Sequence, residues 1–214
     1  QAKATYFGLM TEIDEQLGRV FDYLKATNQY DSTLIVFTSD HGEQLGDHYL
    51  FGKLGYFDAS YHIPLIIRDP KRQLQKVKTL EHFSESVDVM PTILDWLGLE
   101  IPDQCDGRSL LPFLENEVPR NWREEVHSEF DFRWIGSYQP MIEERFGLLP
   151  DECSLVIIRD DDYKYVHMTA LPPLFFDLKR DPGEFINRVQ DPDYREFVLK
   201  YSSKMLSWMM NHRD

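Results

Sequence analysis

The run Thr33-Leu34-Ile35-Val36-Phe37, followed at once by Thr38-Ser39-Asp40-His41-Gly42, limits the fold more than any other stretch of this chain. A short apolar run rich in β-branched and aromatic residues, placed after a helical pattern, reads as a buried strand of a parallel sheet. The polar, glycine-closed segment then falls at the strand's carboxyl end, where ligands bind in open α/β sheets. The flanking sequence supplies elements to go with such a sheet. Tyr6, Met10, Ile13, Leu17, Val20, Phe21 and Leu24 recur at three- and four-residue steps, with Thr11, Glu12, Asp14, Glu15 and Gln16 on the other face. That spacing predicts an amphipathic helix that stops near Asn28, before a turn at Tyr30-Asp31-Ser32. Pro64-Leu65-Ile66-Ile67-Arg68 reads as a second strand ending at Asp69-Pro70. A further helix is predicted over 86–97, with Gly98 in the place of a C-cap.

Beyond Leu99 the pattern changes. Glu125 to Phe130, Leu155 to Arg159, Tyr163 to Met168 and Leu174 to Leu178 read as short strands, with Asp160-Asp161-Asp162 as a hairpin turn. Strands that follow one another without intervening helices predict an antiparallel sheet. A last helix is predicted from about Asp193 to His212, with Phe197, Val198, Tyr201, Met205, Leu206, Trp208 and Met209 apolar. The expected organisation is an α/β part over 1–120 and a smaller antiparallel-sheet subdomain with a terminal helix over 121–214.

Composition removes several classes of function. Lys and Arg number 23 against 37 Asp and Glu, a net charge of −14. Such an excess of acid disfavours nucleic-acid binding, which needs clustered Lys and Arg. No apolar run reaches the ~18–20 residues of a membrane-spanning helix. Two cysteines, Cys105 and Cys153, do not make a disulfide framework, so reducing, cytoplasmic surroundings are expected. The chain opens on Gln1-Ala2-Lys3 directly into helical pattern, and is read as lacking an amino-terminal part that could include targeting signals.

Asp40 and His41 are the leading candidates for chemistry. A carboxylate oxygen and an imidazole nitrogen on a loop after a strand can face one divalent ion, although a complete site takes four or more ligands. The alternative is a turn in which Asp40 caps a following helix and His41 is merely exposed. Gly42, Gly46, Gly52 and Gly55 lie close by, with Asp47, His48 and Lys53 among them. Glycines let backbone approach a ligand closely, and Lys53 is a point charge suited to an anionic oxygen, unless it is an ordinary solvated lysine. His48 is open between substrate contact and a structural role, and for His62 a structural role is preferred. Neither Gly-x-Ser-x-Gly nor a P-loop motif occurs.

Taken together these residues resemble the carboxyl-terminal part of the sulfatase branch of the alkaline phosphatase superfamily. The opening helix with Tyr6, Asp14 and Gly18 resembles the helix before the family's metal loop. Val36-Phe37-Thr38-Ser39-Asp40-His41-Gly42-Glu43 resembles that loop, in its Asp-His form. Lys53 falls where the family has an anion-binding lysine. His62-Ile63-Pro64-Leu65-Ile66, Asp88-Val89-Met90-Pro91-Thr92-Ile93-Leu94 and Asp106-Gly107-Arg108-Ser109-Leu110-Leu111-Pro112 follow in order. Phe176-Asp177-Leu178 with Asp181-Pro182-Gly183-Glu184 and Asn187 resembles the last small-sheet strand and its turn. The stretch from Gly46 to Pro70 is most similar to phosphonate monoester hydrolases. The Cys/Ser-x-Pro-x-Arg motif, which the family converts to a formylglycine nucleophile, is absent from these residues, as is the family's first metal-binding aspartate.

The resemblance implies an alkaline-phosphatase-like mixed sheet flanked by helices, followed by the smaller antiparallel sheet. It implies a metal-dependent hydrolase of phosphonate monoesters, phosphate diesters or sulfate esters, with Asp40 and His41 on the metal and Lys53 on the transferred group. His48 is carried as a further substrate contact. The ion expected is Mn2+ or Ca2+, with Mg2+ and Zn2+ also compatible, and the partner a small anionic ester. The isolated 214-residue chain is expected to be inactive. Two competing readings are a superfamily phosphotransferase and a non-enzymatic binding or assembly module. The wide apolar surface of the last helix would serve the second, and homo-oligomer contact through Trp208 to Met210 is expected.

Overall fold

The structure, a computed structural model, describes residues 1–72, 79–131, 143–145, 147–149 and 152–212. It divides into two compact units, Gln1–Thr79 and Leu80–Asp214.

In the first unit, α1 runs over Ala2–Ala26 and ends before Asn28, which takes a left-handed φ of 57°. None of its residues is buried, so the apolar face read from the sequence, with Met10, Ile13 and Val20, lies open. Strand β1 (Ile35–Thr38) pairs with β2 (Leu65–Arg68), and between them lies the one-turn helix α2 (Asp58–Tyr61). The pairing is antiparallel, from Ile35 opposite Arg68 to Thr38 opposite Leu65. The parallel neighbour expected for β1 is therefore not β2, and β1 is half-buried rather than buried. The connection between the strands contains only a 3-10 turn at Asp47–Tyr49 and one turn of α-helix, too little for a crossover, so the chain returns reversed. Arg68 ties the end of β2 to the turn after α1. Its guanidinium donates to the carbonyls of Tyr30 (2.5 Å) and Thr33 (3.3 Å) and lies 3.7 Å from the Tyr30 ring centroid.

The second unit begins around Asp88, which is fully buried at the start of α3 (Val89–Trp96). A buried carboxylate must be fully hydrogen-bonded to be tolerated. Asp88 accepts from the backbone N–H of Glu85 and of Arg108, both at 2.8 Å, and from both terminal nitrogens of Arg123. Close packing at this joint requires the glycine at 107: a Cβ there would lie 2.0 Å from the Val87 carbonyl oxygen. Thr92 continues the seam, donating to the Asp88 carbonyl (2.6 Å) and accepting from Leu110 N–H (2.9 Å) at the start of α4 (Leu111–Leu114). The Asp88 and Gly107-Arg108 motifs are thus one structural joint.

Strands β3 (Glu125–Asp131), β4 (Ser154–Asp160), β5 (Tyr163–Met168) and β6 (Leu174–Asp177) form an antiparallel meander in sequence order. The hairpin turn is where the acidic triplet predicts it: Asp160 accepts from the N–H groups of Asp162 and Tyr163. Helix α5 (Arg195–Asn211) packs Tyr201 and Met205 onto Ile158, Tyr165 and Phe175. Tyr194, just before the helix, and Tyr201, within it, also carry polar ties. Tyr194 OH donates to Asp177 (2.6 Å) and Tyr201 OH to Asp160. Asn187 Oδ1 accepts from Phe175 and Val189 N–H at 3.0 Å, so the last motif also closes structure. Along α5, Leu199, Leu206 and Met210 remain exposed, while Trp208 stacks on His127. Cys105 and Cys153 are free thiols. Among the described residues no helix is long and apolar enough to cross a membrane.

Candidate metal and anion site

The segment after β1 folds back on itself instead of entering a helix. Asp40 therefore caps none, contrary to the capping alternative for the Asp-His dipeptide. The Asp40 side chain is 82% exposed and that of His41 37%, with Asp40 Oδ2 3.3 Å from His41 Nε2. On its other side the imidazole is fixed, with Nδ1 2.8 Å from the Gly42 carbonyl oxygen. A carbonyl only accepts, so Nδ1 carries a hydrogen and Nε2 is the ring nitrogen turned toward the carboxylate, a metal donor when it is unprotonated. A ring nitrogen held by a backbone carbonyl is the usual support of a metal-binding histidine. Two donors at this spacing can both lie about 2.0–2.2 Å from a single ion. The pair thus fits a divalent metal as two neighbouring ligands. No cluster of three or more His, Cys, Asp or Glu that could hold an ion by itself occurs among the described residues.

The electrostatics agree. Desolvation pushes the Asp40 carboxyl up, but it is outweighed by His41, by the backbone N–H groups of Asp40 and His41, and by Lys53, which together hold it below the ordinary carboxylate range. Lys53 is exposed, and its charge is among those that lower the Asp40 carboxyl, while Asp40 and His41 are in direct contact.

The loop owes its shape to bonds that have no periodic signature. Gly42 is required by close approach. A Cβ there would lie 2.0 Å from the Ala59 carbonyl oxygen, and its N–H donates to Ser60 O at 2.9 Å. Glu43 Oε1 accepts from Leu45 N–H (3.1 Å) and Gly52 N–H (2.6 Å). Gln44 is wholly buried, with Nε2 donating to Ser60 Oγ (2.9 Å) and its N–H to Gly52 O (3.0 Å). Between these ties Leu45, His48 and Tyr49 all take left-handed φ values of 52–62°, a conformation side chains adopt only under local constraint. His48 lies flat on Phe57, ring centroids 3.5 Å apart and planes 4° from parallel. His62 is exposed just past α2, its N–H bonded to Asp58 O at 2.7 Å. Glu43, Gln44 and Ser60 carried no assigned role in the sequence. The one available signal for Glu43 was an acceptor side chain among glycines, the setting in which side chains bond nearby backbone.

A chain that joins a helix, a strand-end Asp-His turn and a glycine-rich lysine loop to an antiparallel meander has the build of a sulfatase-type α/β protein. Residues 1–99 match the family model described as Sulfatase. The chain is 58% identical over its whole length to the multifunctional alkaline phosphatase superfamily protein PehA of Trinickia caryophylli, of which it covers 41%. The phosphonate monoester hydrolase of Agrobacterium radiobacter superposes with a TM-score of 0.88 at 46% identity, over 99% of this chain and 42% of that one. The phosphonate monoester hydrolase of Silicibacter pomeroyi gives 0.89 at 44% identity, over 99% and 41%. The chain belongs to the sulfatase branch of the alkaline phosphatase superfamily, and it spans about two fifths of the length of these relatives.

Proposed function

We propose that these residues supply the Asp40–His41 metal turn and the Lys53 anion contact of a metal-dependent hydrolase of phosphonate monoesters, phosphate diesters or sulfate esters. The observation that carries this reading is the approach of Asp40 Oδ2 to His41 Nε2 at 3.3 Å, with the Lys53 charge acting on the same carboxylate. Asp40 and His41 would hold the ion, Mn2+ or Ca2+ in the first place, since one oxygen and one imidazole nitrogen also accommodate Mg2+ and Zn2+. A bound ion supplies Lewis-acid polarisation of an ester oxygen. Lys53 stabilises negative charge gathering on the non-bridging oxygens of the transferred group. His48, which stacks on Phe57, would contact the organic part of the ester. The local positive charge of Lys53 and the ion outweighs the −14 of the chain at short range.

In this reading the attacking group is a formylglycine on a segment outside the 214 residues. The test is the reading frame upstream of the codon for Gln1, joined to product analysis. An upstream Cys/Ser-x-Pro-x-Arg, and release of free alcohol with no transfer to an added acceptor alcohol, support the hydrolase. An upstream frame without the motif, or transfer to the acceptor, contradicts it.

A further inference from the structure

Glu43 joins the two halves of the site. It lies two residues beyond His41, yet its carboxylate accepts from the N–H of Gly52, the residue before Lys53, at 2.6 Å. The same oxygen accepts from Leu45 N–H at 3.1 Å, so the tie rests on two donors. The neighbouring residue doubles it, with Gln44 N–H donating to Gly52 O at 3.0 Å. Gly52 has a φ of 81°, so the chain turns sharply where Glu43 holds it and delivers Lys53 next. Lys53 is exposed, and its own side chain adopts a useful position only if its backbone is fixed.

We infer that Glu43 is a positioning residue: its carboxylate fixes Gly52, the residue before Lys53, against the Asp40–His41 turn and so sets the distance between the lysine ammonium and the ion. This inference rests on the proposed roles of Asp40, His41 and Lys53. A charged acceptor suits the task because a short N–H···carboxylate bond is stronger than a neutral one. A shift of about 1 Å in such a group costs roughly a hundredfold in rate.

The test is a double-mutant cycle on turnover of an aryl phosphonate monoester in the longer protein that contains this chain, combining Glu43→Ala with Lys53→Ala. Lys53→Ala should lower kcat by about 10²–10³-fold. Glu43→Ala should lower kcat by roughly 10–100-fold with little change in KM. In the Lys53→Ala background, Glu43→Ala should cost less than about 3-fold, because there is no lysine left to position. Glu43→Gln, which keeps an acceptor oxygen, should recover most of the loss. Should Glu43→Ala fail to fold, Glu43→Asp, one methylene shorter, replaces it in the same cycle. Binding of Mn2+ to the longer protein by calorimetry gives a readout apart from turnover, and Glu43→Ala should leave it within about 3-fold while Asp40→Ala weakens it more than ~100-fold. Equal losses from Glu43→Ala with and without Lys53 would overturn the inference and leave the role of Lys53 standing. An unaffected Lys53→Ala would overturn the reading of the site, and this inference with it.

Discussion

Lowering the pH from 7.5 to 5 should cost the protein about 2 kcal/mol through a single side chain, His127. Its ring lies in β3, 9% exposed, stacked on Trp208 with centroids 4.4 Å apart and planes 2° from parallel. Nε2 is buried without a hydrogen-bond partner; Glu125 Oε1 is 3.8 Å away, and the other oxygen of that carboxylate is bonded to Lys204. Burial, with the charges of His212, Lys204 and Arg123, pushes its pKa from 6.5 down to about 4. The unfolded chain therefore takes up a proton as pH falls through 6.5, while the folded chain stays neutral until about 4. Stability is full above pH 7 and lost progressively on acidification. The loss is about 2 kcal/mol at pH 5 and levels off near 3 kcal/mol once both states are protonated. Urea denaturation of the wild type and of His127→Phe, which keeps the stack on Trp208 but cannot titrate, isolates the effect. Glu85, whose carboxyl burial pushes up against the pull of the His127 backbone N–H and of Arg123, titrates in both proteins and cancels in the difference. The stability of His127→Phe relative to wild type should rise by about 2 kcal/mol between pH 7.5 and 5. Parallel curves, or a wild type that gains on acidification, would refute the claim that burial dominates at this ring.

The remaining expectations follow from the loop and from the Asp88 joint. Asp40→Ala and His41→Ala should each weaken Mn2+ binding more than ~100-fold by calorimetry, since each removes a ligand instead of its support. Gly42→Ala should destabilise the protein by about 1–3 kcal/mol in thermal unfolding, because the new methyl meets a backbone carbonyl that no rotamer change can move. Asp88→Ala should cost about 3–5 kcal/mol by urea denaturation, since it leaves the mostly buried Arg123 without its bidentate partner.

Much of this was legible in the sequence, for physical reasons that differ from part to part. The strands β3 to β6 and the hairpin at Asp160 came through because a meander pairs neighbours in sequence, so local signals suffice. Helix α1 came through because its apolar spacing is regular, even though no residue of it is buried. The Asp40-His41-Gly42 turn and Lys53 stand out in the sequence as chemistry-bearing residue types beside glycines, and their roles are those proposed above. The direction of β1 against β2 did not, because a strand's composition carries its burial and not the heading of its partner. Arg123 was missed because it meets Asp88 across 35 residues with no motif joining them. Glu43 was seen only as a member of a motif, since a side chain that serves the backbone of its own loop leaves no period to read. The motifs at Asp88, Gly107-Arg108 and Asn187 proved to be joints of the fold.

The most direct measurement of the central claim is hydrolysis of an aryl phosphonate monoester by the longer protein that carries these residues, with Mn2+ added, for wild type beside Asp40→Ala. Metal-dependent turnover in the wild type that falls more than ~100-fold in Asp40→Ala is the result predicted. Turnover that ignores both the metal and the substitution would contradict the assignment of this turn to the reaction.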